Sequence, residues 1–156
     1  MARIHLGADH AAFEMLGDLV AMLEADGHDV TNHGPHAYDA LDDYPVFVLR
    51  AAEAVAADDG SLGVVLGGSG NGEQIAANKV TGVRAALCWD EDLARLAREH
   101  NDARVISVGA RTTDPEVARA MVRAFVATPF SGEARHARRI AMLDAYEADG
   151  TLPPLT

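Results

Sequence analysis

Short apolar runs alternate along this chain with longer segments whose apolar residues recur at helical spacing. The runs are typical of buried strands and cover residues 3–8, 28–32, 62–66, 83–87 and 104–108. Between and after them lie helical patterns, one of which begins at Asp114-Pro115, an acidic cap followed by a first-turn proline. A last helix is expected over residues 133–147, with Ile140, Leu143 and Tyr146 as its apolar residues.

Strands that alternate with helices form a parallel sheet, because each crossover brings the chain back to the same edge with the same hand. The pattern predicts a three-layer, Rossmann-like α/β sandwich: a five-stranded parallel sheet, doubly wound, with helices on both faces. Residues 1–156 suit a single domain, with its core over about 3–147 and a loose tail over 148–156. Ligands of such sheets bind beyond the carboxyl ends of the strands. We therefore expect the chemistry in the loops that begin at Asp9, Gly67 and Gly109.

Charge and composition exclude several classes of function. The formal charge is −11 at pH 7 and the pI is about 4.9, whereas a nucleic-acid surface needs a basic face. No apolar run approaches membrane-spanning length, and the first ten residues are too polar for a signal peptide. Cys88 is the only cysteine, which excludes an intrachain disulfide and a thiolate metal cluster. We expect a cytoplasmic protein that binds neither nucleic acid nor a membrane.

The sequence "GGSGNGE", from Gly67 to Glu73, joins a strand to a helix. It lacks the glycine spacing of a dinucleotide site, and Glu73 and Gln74 stand where a P-loop needs lysine and a hydroxyl residue. Exposed N–H groups at such a turn stabilise an anion, and an anion that forms during a reaction would make them an oxyanion hole. Glu73 would then be placed as a carbon base, although it would equally complement the helix dipole.

Other polar residues have both a functional and a structural interpretation. Asp9 and His10 end the first strand, where Asp9 would also serve as a helix cap, and His100 would complement a helix C-terminus. Arginines four apart on one helix grip phosphate but also form solvated faces. These are Arg135 and Arg139, with Arg138 adjacent.

Three further features carry weaker signals. His33 and His36 have no partner cluster, so we assign no metal. Cys88 and Trp89 follow a strand and would pack there or line a pocket. Ser69 matches the G-x-S-x-G pattern without the rest of a catalytic triad.

The motifs "GADHAAFE", "DYP", "GGSGNGEQIAANK", "GVRAALCWD", "AREHNDARVISVGAR" and "ARHARRI" together resemble the B-type ribose-5-phosphate isomerases. The resemblance covers about residues 3–147, and the wider family includes isomerases of galactose 6-phosphate and allose 6-phosphate. It implies an enzyme that interconverts an aldose phosphate and its ketose through a cis-enediolate, without a cofactor.

The resemblance also implies roles for individual residues. Asp9 and His10 look like contacts to the ring oxygen and the phosphate side of the substrate, and His100 like the acid-base group that opens the ring, with Asn101 holding a hydroxyl. Arg135 and Arg139 resemble a phosphate clamp, and Arg111 a further phosphate contact lent by a second subunit. The residues that resemble the anion hole are Gly68, Ser69, Gly70, Asn71 and Gly72.

One departure from the family is informative. Many members have a cysteine base in a "CGTG"-like loop, where this chain has Gly67 and no thiol; Cys88 lies elsewhere. The chain resembles the subgroup in which a glutamate, here Glu73, takes the proton. Partial burial would raise the pKa of Glu73 towards working pH, while the N–H groups of the loop would lower it.

The sequence therefore predicts a ribose 5-phosphate isomerase that acts as a homodimer with sites shared across the interface; pairing of dimers into a tetramer is left open. Three alternatives remain. The first is the same chemistry on a tetrose or hexose phosphate, the second a non-catalytic sugar-phosphate sensor, and the third a nucleotide-binding module.

Overall fold

The computed structural model describes residues 1–155 and contains one sheet of five strands, all parallel. The strands lie side by side in the order β2-β1-β3-β5-β4. Their bounds are β1 Arg3–Ala8, β2 Asp29–Asn32, β3 Leu62–Gly67, β4 Ala85–Leu87 and β5 Val105–Gly109. The strand order reverses between β1 and β3, so the predicted doubly wound sheet is confirmed.

Six α-helices connect and follow the strands. Asp90 and Asp114 cap two of them, since their carboxylates accept from the N–H groups of Leu93 and Glu116. The first predicted helix is divided, because one 3-10 turn over His10–Ala12 precedes α1. The bounds are α1 Phe13–Ala25, α2 Tyr44–Ala57, α3 Asn71–Ala77, α4 Glu91–Asn101, α5 Pro115–Ala127 and α6 Ala134–Asp149.

Two apolar clusters fill the spaces between the sheet and its helices. The larger joins α1, α4 and α5 to one face, with Phe125 and Leu19 fully buried. The smaller joins α2 and α3 to the other face, with Val48 and Val55 fully buried. Helices therefore cover both faces, which confirms the three-layer prediction. No helix of residues 1–155 is long and apolar enough to cross a membrane.

The last helix leaves most of its apolar residues exposed. Leu143 and Tyr146 of α6 are 57% and 56% exposed, and His136 is the one residue of the helix that is buried. The five earlier helices already cover both faces of the sheet, so no apolar surface of the core is left for α6. The prediction of a helix here is confirmed, but Leu143 and Tyr146 remain uncovered within the chain, while Ile140 is half-buried.

The direction of α4 separates two groups of polar residues. The helix follows β4 and precedes β5, so it starts at the carboxyl edge of the sheet and ends at the amino edge. Its eleven residues span about 16 Å. The carbonyl of Asn101, its last residue, accepts from Nε of Arg84, just before β4 begins, at 2.9 Å. His100 and Asn101 therefore lie at the amino edge, opposite the glycine-rich loop.

Candidate active site

The loop after β3 is held tightly against β5. The N–H groups of Ala110 and Arg111 donate to the carbonyls of Gly67 and Gly68 at 2.8 and 2.9 Å. Gly70 has a φ of +80°, and a side chain there would come within 2.7 Å of Leu87 Cδ1. Only glycine suits this turn, which brings the first turn of α3 close to the end of the strand.

Glu73 lies in that first turn and is buried, with 4% exposure. Its carboxylate rests directly over the α-carbon of Gly67. A methyl group at Gly67 would overlap Glu73 Oε1 and come within 2.6 Å of Oε2. The missing side chain at Gly67 is therefore what makes room for this carboxylate.

The surroundings of Glu73 act on its pKa in opposite directions. Burial raises the pKa, and the nearby negative charge of Asp9 raises it further. The nearby backbone N–H groups of Glu73 and Gly70 favour the ionised form and lower the pKa, but the net direction is upward. The opposing effects of burial and of the N–H groups are the ones expected from the sequence. The raised pKa suits a general base, which works best when its pKa is near the working pH.

A pocket of about 490 Å³ opens beside this carboxylate at the carboxyl edge of the sheet. Its volume is in the range of sites for small organic molecules. A larger surface cavity, of about 570 Å³ between α4 and α5, has an acidic rim that disfavours anions. The residues that line the site pocket are Tyr44, Gly68, Ser69, Gly72, Glu73, Arg111 and Thr112.

Two of these residues, Tyr44 and Thr112, were not among the candidates from the sequence. Tyr44 begins α2, and its ring is so close to Gly72 that a side chain there would come within 2.8 Å of it. A helix that leads into β3 must start at the carboxyl edge, so its first residue lies at the site. That topological rule would have found Tyr44 in the "DYP" motif.

Arg111 lies in the pocket of its own chain, whereas the resemblance implied that a second subunit lends it. Its Nη1 atom lies 3.5 Å from the position that a β-carbon at residue 68 would occupy. The loop after β5 runs alongside the glycine-rich loop, which explains this placement. Within residues 1–155, no carboxylate forms an ion pair with Arg111.

Asp9 and His10 also lie at the carboxyl edge, directly after β1. The Asp9 carboxylate accepts from the N–H of Ala11 at 2.9 Å, so the capping role is confirmed. His10 Nδ1 lies 2.8 Å from Asp42 Oδ1, a contact that the sequence did not indicate. That hydrogen bond raises the pKa of His10, while the positive charge of Arg111 opposes it.

Asp9, His10 and Asp42 offer atoms within 4.8 Å of one another, as ligands of a metal ion would. Two of these side chains are already engaged: Asp9 caps a helical turn through Oδ1, and Asp42 Oδ1 accepts from the N–H of His10. The absence of a metal therefore stays a prediction. His33 lies against His5, with 3.1 Å between Nε2 and Nδ1.

The remaining candidates lie away from this pocket. The ring of His100 contacts that of His136 at a tilt of 47°, with 4.2 Å between ring centroids, where α4 ends and α6 begins. Arg135 is exposed and pairs with Glu133 at 2.8 Å. Because these remaining candidates lie at the amino edge of the sheet, they cannot meet Glu73 of the same chain. The candidates in this second group are His100, Asn101, Arg135 and Arg139.

Cys88 and Trp89 do not belong to the site. Cys88 is 2% exposed within the larger apolar cluster, which confirms a packing role. Burial raises the pKa of its thiol to about 12. Trp89 is 62% exposed, so it does not pack within the chain.

Comparison with known proteins agrees with this geometry. A family profile described as Ribose/Galactose Isomerase matches residues 4–143. Ribose-5-phosphate isomerase B of Mycolicibacterium paratuberculosis is 52% identical, over 98% of this chain and 96% of that protein.

Solved structures give the same result. Type B ribose 5-phosphate isomerase of Trypanosoma cruzi superposes with a TM-score of 0.91 at 45% identity, over 97% of this chain and 99% of that one. The Mycoplasma genitalium ribose-5-phosphate isomerase B with bound ribulose-5-phosphate gives a TM-score of 0.91 at 35% identity, over 94% and 97%. The sequence, the fold and the loop around Glu73 lead to one conclusion: this chain belongs to the ribose/galactose isomerase family.

Proposed function

We propose that the protein interconverts D-ribose 5-phosphate and D-ribulose 5-phosphate without a cofactor, with Glu73 as the carbon base. The observation that carries this proposal is the buried Glu73 carboxylate over Gly67, beside the loop amides. The relatives named ribose-5-phosphate isomerase B support the substrate, as does the neighbour that holds ribulose-5-phosphate.

In the proposed reaction, Glu73 takes the proton from C2 of the open aldose. Negative charge moves to O1, where amides of the loop from Gly68 to Gly72 stabilise the cis-enediolate. A proton passes from the C2 hydroxyl to O1, and Glu73 returns its proton to C1, which leaves the ketose. Arg111 and His10 supply positive charge for the phosphate, so binding energy far from the reacting carbons holds them against Glu73.

We infer that a second copy of the chain completes each site. The resemblance assigns ring opening to His100, a substrate hydroxyl to Asn101 and the phosphate to two arginines, Arg135 and Arg139. All four lie at the amino edge of the sheet, away from Glu73 of the same chain. The uncovered apolar side chains of α6 support an interface there. In a two-fold dimer each chain would give Glu73 to one site and His100 to the other.

The test of the function is an assay of purified protein with ribose 5-phosphate and EDTA, in which ketose formation is followed. We expect turnover that EDTA does not change, and a higher kcat/KM for ribose 5-phosphate than for erythrose 4-phosphate or allose 6-phosphate. A higher kcat/KM for another sugar phosphate would show that ribose 5-phosphate is not the preferred substrate. Binding without hydrogen exchange from D₂O into the substrate would indicate a sensor instead.

The response to a thiol reagent distinguishes an isomerase with a glutamate base from one with a cysteine base. Because burial raises the pKa of Cys88 to about 12, almost none of its thiol is ionised at pH 8. We expect iodoacetamide at pH 8 to leave turnover within about twofold of the untreated enzyme. Mass spectrometry of the treated protein checks whether Cys88 is alkylated. Loss of turnover that parallels alkylation of Cys88 would contradict the assignment of Glu73 as the base, and rapid alkylation of Cys88 would contradict its raised pKa.

A further inference from the structure

Asp42 is a buried carboxylate to which the reaction above gives no role. It lies in the loop before α2, and its side chain is 9% exposed. Oδ1 accepts from the backbone N–H of His10 at 2.9 Å and lies 2.8 Å from its Nδ1. Oδ2 is buried without a hydrogen-bond partner in the described chain. A carboxylate is costly to bury in this way, so its charge calls for a nearby positive group.

The group that Asp42 contacts is a histidine ring that stands beside an arginine. With Nδ1 held by Asp42, Nε2 is the ring nitrogen left to contact a ligand. His10 is partly exposed, and it is close enough to Arg111 for that charge to oppose its protonation. Arg111 lines the site pocket, and His10 lines a separate cavity of about 440 Å³ that it shares with Phe13 and Tyr38. In a chain of net charge −11, an oxyanion of the substrate that reached both side chains would balance the charge of Arg111 and of a protonated His10.

We propose that Asp42 is a positioning residue that keeps His10 protonated and its Nε2–H turned towards the phosphate of the substrate. Without this carboxylate, burial and the charge of Arg111 would favour neutral His10, with only the charge of Asp9 opposing them. Neutral His10 offers the phosphate one uncharged donor at most. The inference rests on the proposed function, because it assigns His10 to the phosphate. The charged or titratable groups around His10 are Asp9, Glu14, Tyr38, Asp42 and Arg111.

The variant Asp42→Asn tests this role, since asparagine keeps the shape but not the charge. With His10 protonated less readily, we expect KM for ribose 5-phosphate to rise about tenfold at pH 7.5, with the larger effect on KM rather than kcat. At a pH below the ordinary histidine pKa, both proteins carry charged His10, so the ratio of their KM values should fall towards one. The substrate phosphate titrates equally in both assays and cancels in this ratio. Asp39→Asn, an exposed charge in the same loop, is the control.

A measurement without turnover separates this inference from the proposed function. In an NMR titration of the full chain, we expect the pKa of His10 to lie above the ordinary histidine value and to fall towards it in Asp42→Asn. At pH 7.5, inorganic phosphate should bind more weakly to Asp42→Asn than to wild type. At low pH, where His10 is charged in both proteins, this difference in phosphate affinity should shrink. An unchanged pKa of His10 would overturn the inference even if the enzyme is an isomerase. So would a KM ratio that is the same at every pH, which a merely structural role predicts.

Discussion

Glu73→Gln is expected to lower kcat for ribose 5-phosphate by about three orders of magnitude and to leave substrate binding nearly unchanged. Glutamine preserves the shape of the side chain over Gly67 but cannot take a proton from carbon. The measurement is steady-state turnover together with binding of a competitive sugar phosphate by calorimetry. Glu53→Gln, an exposed change on α2, is the matched control. Turnover within tenfold of wild type would remove Glu73 from the mechanism.

The raised pKa of Glu73 gives two further readouts. The base is lost as pH falls through its pKa, so kcat/KM should begin to fall at a higher pH than an ordinary glutamate would produce. The sign for stability is the reverse of the usual carboxylate case. A raised pKa in the folded state means that ionised Glu73 destabilises the fold above that pKa, so Glu73→Gln should raise the Tm at pH 8. A lower Tm would indicate that the carboxylate serves a structural role.

Gly67→Ala is expected to lower kcat at least a hundredfold, although no reacting group is removed. The new methyl group would overlap Glu73 Oε1, so the carboxylate must move away from the substrate carbon. A displacement of about 1 Å at a reacting group costs on the order of a hundredfold in rate. Turnover is measured beside Gly17→Ala, an exposed helical position where a methyl group meets nothing within 4 Å.

The effect of Gly67→Ala should be absent when the base is already missing. In the double variant with Glu73→Gln, the second change should add little, because both act on one group. Full additivity of the two losses would contradict the assigned contact between Gly67 and Glu73. Unchanged turnover in the single variant would contradict it as well.

Local patterns in the sequence were enough to predict most of the fold. Alternating strands and helices predicted the parallel sheet, and helix caps such as Asp114 are where the sequence placed them. The glycine-rich loop and Glu73 could also be predicted, because strand, turn and base are adjacent in the chain. The opposing effects of burial and of the loop N–H groups on the pKa of Glu73 were predicted as well, but the net upward direction and the contribution of Asp9 were not.

The features that could not be predicted depend on residues far apart in the chain. Asp42 lies 32 positions from His10, and no sequence pattern near either residue predicts that the two are in contact. The apolar spacing of α6 predicted a helix, but periodicity does not say which surface covers its apolar residues. Leu143 is apolar and exposed, and in the proposed dimer its cover would come from another chain.

Mixing two inactive variants tests the central claim most directly, namely that Glu73 of one chain works with His100 of another. Glu73→Gln and His100→Asn are unfolded together, refolded as a mixture and assayed for ribose 5-phosphate isomerisation. Random pairing gives half mixed dimers, each with one intact site, so about a quarter of wild-type activity should return. Activity no higher than the sum of the separate variants, in a mixture shown to contain mixed dimers, would contradict the shared site.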